Sequence, residues 1–197
     1  MTFEPSKGHA VQVSYTRQEA DHIDYPYLLM DAIYDDTDRA RIAYELTREE
    51  GVLKGFRTEA YLARVRHWMT DEFRLSSAGK PRDYSMGTLA SVQTAGGRIE
   101  ARTDRLTDGL EAYRRQWDAT TEMAASGYAP QRSLPDASTE LVGLYVETEQ
   151  PLSARWKLSA GARVDRAWSG AAEGSASTDL YFAYNGTRST SRTDTLP

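Results

Sequence analysis

The sequence predicts an all-β fold: an antiparallel up-and-down meander of about 7–8 strands forming part of a transmembrane β-barrel wall, open and incomplete. Three observations predict it. Apolar or small residues recur at every second position over long stretches, with polar residues between them; that is the period of a strand with one greasy face. The connections between these stretches alternate long and short, as in up-and-down outer-membrane barrels with tight turns at one end and long loops at the other. No run of 18 or more apolar residues exists, which excludes a spanning helix, whereas alternation averages a barrel strand to the low mean hydropathy seen here.

Composition narrows the remaining classes. The chain has 197 residues, enough for one domain, a formal net charge of -5 and no cysteine. The acidic balance offers no basic patch for nucleic acid, and disulfides and thiolate metal sites are excluded. Thr2-Phe3-Glu4-Pro5-Ser6-Lys7-Gly8 does not have the cationic start and apolar core of a signal peptide. The expectation is therefore an internal piece of a longer outer-membrane protein.

The predicted strands are roughly 9–19, 38–48, 56–71, 86–104, 109–122, 139–150 and 155–169. In the first, Val11, Val13 and Tyr15 alternate with Gln12, Ser14 and Thr16. In the second, Ala40, Ile42, Tyr44 and Leu46 oppose Arg39, Arg41 and Glu45. The third sets Tyr61, Ala63 and Val65 toward lipid and Arg64 and Arg66 toward the lumen. In the fourth, Arg98, Glu100 and Arg102 oppose Ile99 and Ala101. The fifth sets Tyr113, Trp117 and Ala119 against Arg114, Gln116 and Asp118, leaving Arg115 on the greasy side. Val142, Leu144 and Val146 form an apolar row in the sixth. The seventh alternates Leu158, Ala160, Ala162 and Val164 with Ser159, Gly161, Arg163 and Asp165, between Trp156 and Trp168; Arg166 falls on its greasy side. Twelve steps from Trp156 to Trp168 make roughly 40 Å of strand, which, tilted, matches the apolar band between aromatic girdles.

These phases predict a lumen lined by Arg39, Arg41, Glu45, Arg64, Arg66, Arg98, Glu100, Arg114, Asp118, Arg163 and Asp165, and a membrane girdle of Trp117, Trp156 and Trp168. The long connections are expected at 20–37, 72–85 and 123–138, with short ones at 49–55, 105–108 and 151–154. Residues 178–197 read as an external loop cut off before its return strand. Asp35 and Asp36 read as solvated loop acids, and Asn185-Gly186-Thr187 as a turn.

Several segments carry a family resemblance. They are Tyr25-Pro26-Tyr27-Leu28-Leu29-Met30-Asp31 with Tyr34-Asp35-Asp36-Thr37, then Arg66-His67-Trp68-Met69-Thr70-Asp71-Glu72-Phe73-Arg74, and Leu158-Ser159-Ala160-Gly161-Ala162-Arg163-Val164-Asp165. The chain resembles the barrel of TonB-dependent outer-membrane receptors, and its first two segments resemble the copper-type subgroup. The resemblance implies a bacterial outer-membrane location, with residues 1–197 forming a middle portion of the barrel domain. It implies a parent with a signal peptide, a TonB box, a plug domain and a 22-stranded barrel. Such a parent imports a metal ion or metal chelate, contacts the TonB complex through its N-terminal part and has outer-membrane lipid around it.

Catalysis finds no support. His9, His22 and His67 are far apart, and no nucleophile elbow, Walker loop or dinucleotide loop occurs. No cofactor is expected; copper would be cargo. Thioether sulfur and imidazole both suit copper, and His67 and Met69 sit two residues apart on one strand face. Copper-type receptors carry a His-x-Met pair in the barrel, which these two positions match. They share the phase assigned here to lipid, so an inward site needs a β-bulge near residue 66 or a place above the membrane. Tyr25, Tyr27, Met30, Tyr34, Met86, Met123 and Tyr128 are the candidate ligand-contacting residues of the external loops and strand ends. Two other readings stay open: a small self-contained pore, and a soluble β-sheet binding domain with exposed loops.

Overall fold

A computed structural model describes residues 1–74, 85–124, 130–172 and 191–196. They form one sheet of nine strands in sequence order, every neighbouring pair antiparallel. The strands are β1 (Thr2–Ser6), β2 (His9–Ile23), β3 (Asp31–Thr47), β4 (Gly55–Thr70), β5 (Ser85–Arg102), β6 (Leu106–Ala124), β7 (Gln131–Pro151), β8 (Lys157–Gly170) and β9 (Ser191–Leu196). β1 and β9 are the two edges and do not pair with each other, so the sheet is open.

Strands β2 to β8 run from 14 to 21 residues, against the 3–10 usual in globular proteins. Even the shortest makes about 46 Å at 3.3 Å per residue, more than a hydrocarbon layer of ~30 Å needs. The strands therefore rise past the apolar layer. This corrects three expected connections. The loop at 20–37 contracts to the residues between Ile23 and Asp31, and the loop at 123–138 to those between Ala124 and Gln131. Arg17, Glu19, Asp36 and Asp38 are strand residues; Asp35 and Asp36 are not loop acids. Both strand faces carry polar groups there, so the hydrophobic alternation that marks a strand is missing. The tail at 178–197 does contain a return strand, since β9 pairs with β8 from Gly170↔Ser191 to Asp165↔Leu196. β1 was not expected either; it enters through a tight turn at Gly8 (φ 78), where a Cβ would strike the Thr47 carbonyl oxygen.

Residues paired across antiparallel strands share a face, so the register fixes the facing. One face carries Val11, Val13, Ile42, Tyr44, Phe56, Leu62, Ile99, Leu110, Leu144 and Val164. It is the more exposed face along β4 and β5, where Ala60, Leu62, Arg64 and Arg66 are exposed and Tyr61, Ala63, Val65 and His67 half-buried. We call these the outer and inner faces. Among the described residues the buried hydrophobics are only Ala32, Ala43 and Ala119, while Ile42 is 52% and Leu144 54% exposed. No second layer covers the apolar outer face, which in water would be a liability.

The outer apolar band has a sharp upper edge, and the edge is oblique. It ends at Leu62 on β4, at Ala112 and Val142 on β6 and β7, and at Val164 on β8. The row of Val164 runs through Leu144, Leu110 and Ile99 to Thr58 on β4, four residues below Leu62. Four residues of ~3.3 Å against four interstrand spacings of ~4.8 Å give a slope of roughly 35°, which is the strand tilt of transmembrane barrels.

Candidate functional site

The inner face has two levels. In the lower one, Glu59 gathers three guanidinium groups. Arg41 Nη2 donates to Glu59 Oε2 at 2.6 Å and Arg57 Nη2 at 3.2 Å, and Arg98 Nη2 lies at 3.7 Å. Beside it Tyr145 donates to Glu100 Oε2 at 2.8 Å. Arg163 donates through Nη2 to Glu111 at 3.0 Å and through Nε to Asp165 at 2.9 Å, and its guanidinium lies 5.9 Å from the Tyr145 ring. Glycines make room for these side chains. A Cβ on Gly96 would sit 2.6 Å from the Tyr61 hydroxyl and 2.7 Å from Tyr113 Cβ. Gly109 underlies the Tyr145 ring, and Gly143 the Arg163–Asp165 pair.

The upper inner level is softer. On β4, Val65, His67 and Met69 follow Arg57, Glu59 and Tyr61 in one phase, with no register shift against β5. His67 stands opposite Asp35 on β3 and Ala90 on β5, and Met69 opposite Ala32 and Thr88. Met86 continues the row beyond Thr88 and is paired in register with Met123. Its backbone is pinned: Met86 N–H donates to Asp71 Oδ1 at 2.7 Å, and Asp71 N–H and Thr70 Oγ1 donate to Met86 O at 3.1 Å each. Among the described residues no group of three or more His, Asp or Glu side chains is arranged to hold a metal ion.

At the long-connection end, Arg74 ties two loops together. Its Nε donates to Asp31 Oδ2 at 2.8 Å and its Nη2 to the Tyr25 carbonyl at 2.7 Å, while Tyr25 N–H donates to Asp31 Oδ1 at 2.9 Å. This site lies beyond the apolar band. The Arg74 guanidinium, aided by the Tyr25 N–H, holds the Asp31 carboxyl below the usual carboxylate range.

Register places the predicted residues as follows. Arg39, Arg41, Glu45, Arg98, Glu100, Arg163 and Asp165 share the inner face. Arg64, Arg66, Arg114 and Asp118 do not; they share the outer face with Leu62 and Leu110, beyond the apolar band. Arg66 pairs there with Asp36 at 3.4 Å, Arg114 with Glu140 at 3.3 Å, and Arg132 with Asp118 at 2.6 Å. Tyr61, Ala63 and Val65 are inner, and His67 and Met69 lie with them, so the bulge expected near residue 66 is absent. Tyr113 and Trp117 are inner too, with Arg115 5.4 Å from the Trp117 ring. Trp117 is therefore not a girdle residue. Trp168 is on the outer face, 5.2 Å from the Arg166 guanidinium, and Trp156 is in the β7–β8 turn.

Tyr25, Tyr27 and Met30 lie in the first long connection, and Tyr27 is 98% exposed. Tyr34, Met86 and Met123 are in strands, while Tyr84, Tyr128 and Asn185-Gly186-Thr187 lie outside the described residues. Sequence reasoning missed Glu59 as the hub and the Asp31–Arg74 latch. A signal for the first was present: Arg57 and Glu59 share the phase of Tyr61, which makes that phase polar lower down. The latch joins residues 43 apart in sequence, and no local pattern announces it.

One antiparallel sheet of long tilted strands, with an uncovered apolar band outside and paired charges inside, defines the wall of a transmembrane β-barrel. A family model described as "TonB dependent receptor-like, beta-barrel" matches residues 5–197. The chain belongs to this family of bacterial outer-membrane transporters, which are not enzymes. Its structure is similar to that of a protein titled "Copper transporter OprC", with a TM-score of 0.75 and 20% sequence identity. The match covers 99% of this chain and 31% of that one, and likeness at this identity concerns the fold. No curated protein matches the chain.

Proposed function

We propose that these residues form part of the wall and external loops of a receptor for TonB-energised uptake of a metal ion, with copper as the cargo. Residues 1–197 are then a partial barrel domain whose inner face lines the lumen. Contact with the TonB complex falls to parts of the receptor outside these residues. Tyr25, Tyr27 and Met30 supply contact surface at the mouth, where binding loops on a rigid scaffold are placed.

The observation that carries the metal reading is the position of His67 and Met69: one face, one strand, two residues apart, and in phase with the inner charges. Imidazole and thioether together suit Cu(I) better than a hard cation, and Met86 stands in the next strand of the same level. The name of the structural relative gives independent support. Two side chains make an incomplete coordination sphere, so further ligands come from elsewhere in the receptor.

The test is Cu(I) affinity of the full-length protein, measured by competition with a chromophoric chelator. Replacing both side chains, His67→Ala with Met69→Ala, is expected to weaken binding by about tenfold or more, the scale seen when metal-site groups are lost. Heat-modified mobility on gels shows that the variant still folds. An unchanged Cu(I) affinity in a folded variant overturns the copper assignment.

A further inference from the structure

The upper edge of the outer apolar band is marked by arginine on alternate strands. Going up the outer face, the residue after Tyr15 on β2 is Arg17, after Leu62 on β4 Arg64, after Ala112 on β6 Arg114, and after Val164 on β8 Arg166. The intervening strands carry Asp38, Gln93 and Glu140 at the same edge. Arg166 is level with Ala60 on β4, through Val142, Ala112 and Gly97. It is four residues below Arg64, and the band edge falls by the same amount over the same strands. The arginines therefore keep a fixed height on the tilted sheet, at alternate strands about 10 Å apart.

Two of the four are already satisfied. Arg17 lies 3.7 Å from Asp38, and Arg114 3.3 Å from Glu140. Arg64 and Arg166 are exposed and have no carboxylate partner among the described residues. Arg166 is held only against the Trp168 ring, 5.2 Å away. A guanidinium at the edge of hydrocarbon is in a medium of lowered dielectric, where an unpaired charge is costly and an anion is bound strongly. The anion available all along that edge is lipid phosphate, and a planar fork of N–H donors grips phosphate in bidentate fashion.

We propose that Arg64 and Arg166 are docking points for the phosphate groups of outer-leaflet lipid, about four interstrand spacings apart, so that each engages its own headgroup. The orientation rests on the family's topology, in which the long connections face outward. The cargo plays no part in it.

The experiment uses the full-length protein in neutral detergent, with bisphosphorylated lipid A or its dephosphorylated form added, and bound lipid counted by native mass spectrometry. The bisphosphorylated form is expected to be retained at least fivefold better than the dephosphorylated form. The Arg64→Gln/Arg166→Gln variant is expected to lose most of that preference. Arg155→Gln, which removes a cation at the opposite, short-turn end, is expected to keep it. Equal retention of the two lipids by the unaltered protein overturns the proposal without any variant. So does a double variant that retains the preference, or an Arg155→Gln variant that loses as much of it.

Discussion

The lower and upper halves of β4 are two environments on one uninterrupted strand. Below, Phe56, Ala60 and Leu62 face outward and Arg57 and Glu59 inward. Above, Arg64 and Arg66 face outward with Trp68, and Val65 and Met69 inward with His67. The polarity of the two faces is exchanged midway, yet the pairing with β5 does not slip by a single residue. Polarity on a strand face therefore reports the medium that the face meets, and the medium changes with height. Hydrocarbon lies outside the lower half. Above the band the outer face meets water and headgroups, and the inner face becomes a less charged surface near the mouth.

The sharpest way to break this contrast is to place the same charge at both levels. Leu144→Arg, in the middle of the outer apolar row of β7, is expected to destabilise the membrane-inserted full-length protein by about 2–4 kcal/mol, and Gln93→Arg, above the band, by about 0–1 kcal/mol. Reversible urea titration in lipid vesicles measures both. Equal costs would mean that no hydrocarbon edge lies between these heights.

A smaller effect separates inside from outside. Glu59→Gln keeps the shape but leaves Arg41, Arg57 and Arg98 facing one another, at an expected cost of about 1–3 kcal/mol. Asp36→Asn, which frees exposed Arg66 on the outer face, is expected to cost about 0–1 kcal/mol. The same titration compares them, and a larger cost for Asp36→Asn would reverse the assignment of the structural hub.

The smallest effect belongs to the loop latch. The folded-state pKa of Asp31 is lowered, so its contribution is complete above the unfolded value of about 3.9 and is lost as pH falls through the lowered value. Amide exchange in the segment between Ile23 and Asp31 is expected to quicken several-fold on acidification below that range. Asp31→Asn is expected to show the fast exchange already at neutral pH. Exchange in that segment that follows neither the acid nor the substitution would show that Arg74 does not hold the two loops together.

The comparison also explains what could be read in advance. The antiparallel meander and the short turns were legible, because alternation at period two survives wherever one face meets hydrocarbon. The rows through Ile42, Leu144 and Val164 are of this kind. Facing was misread where that condition fails. Arg64, Arg66 and Arg114 were assigned to the lumen because charge was taken as the mark of an inner face, but they stand above the band. Tyr61, Tyr113 and Trp117 were assigned to lipid because they are large and aromatic; they fill the inner face, Tyr61 and Tyr113 against the space left by Gly96. The segments around Arg17 and Asp38 were taken for loop because they are polar on both sides, and cross-strand ion pairs hold them in the sheet instead.

By itself the sequence determined that this chain makes long paired strands with one face adapted to hydrocarbon, since that follows from the order of apolar and polar residues along the backbone. Only the tertiary structure decided which residues share a face across strands, where the apolar band stops and at what tilt, that Glu59 collects three arginines, and that His67 and Met69 lie on the inner side. Those properties belong to the register between segments. A one-residue slip would move every side chain to the opposite face without changing the sequence, and register is set by pairing partners distant in the chain.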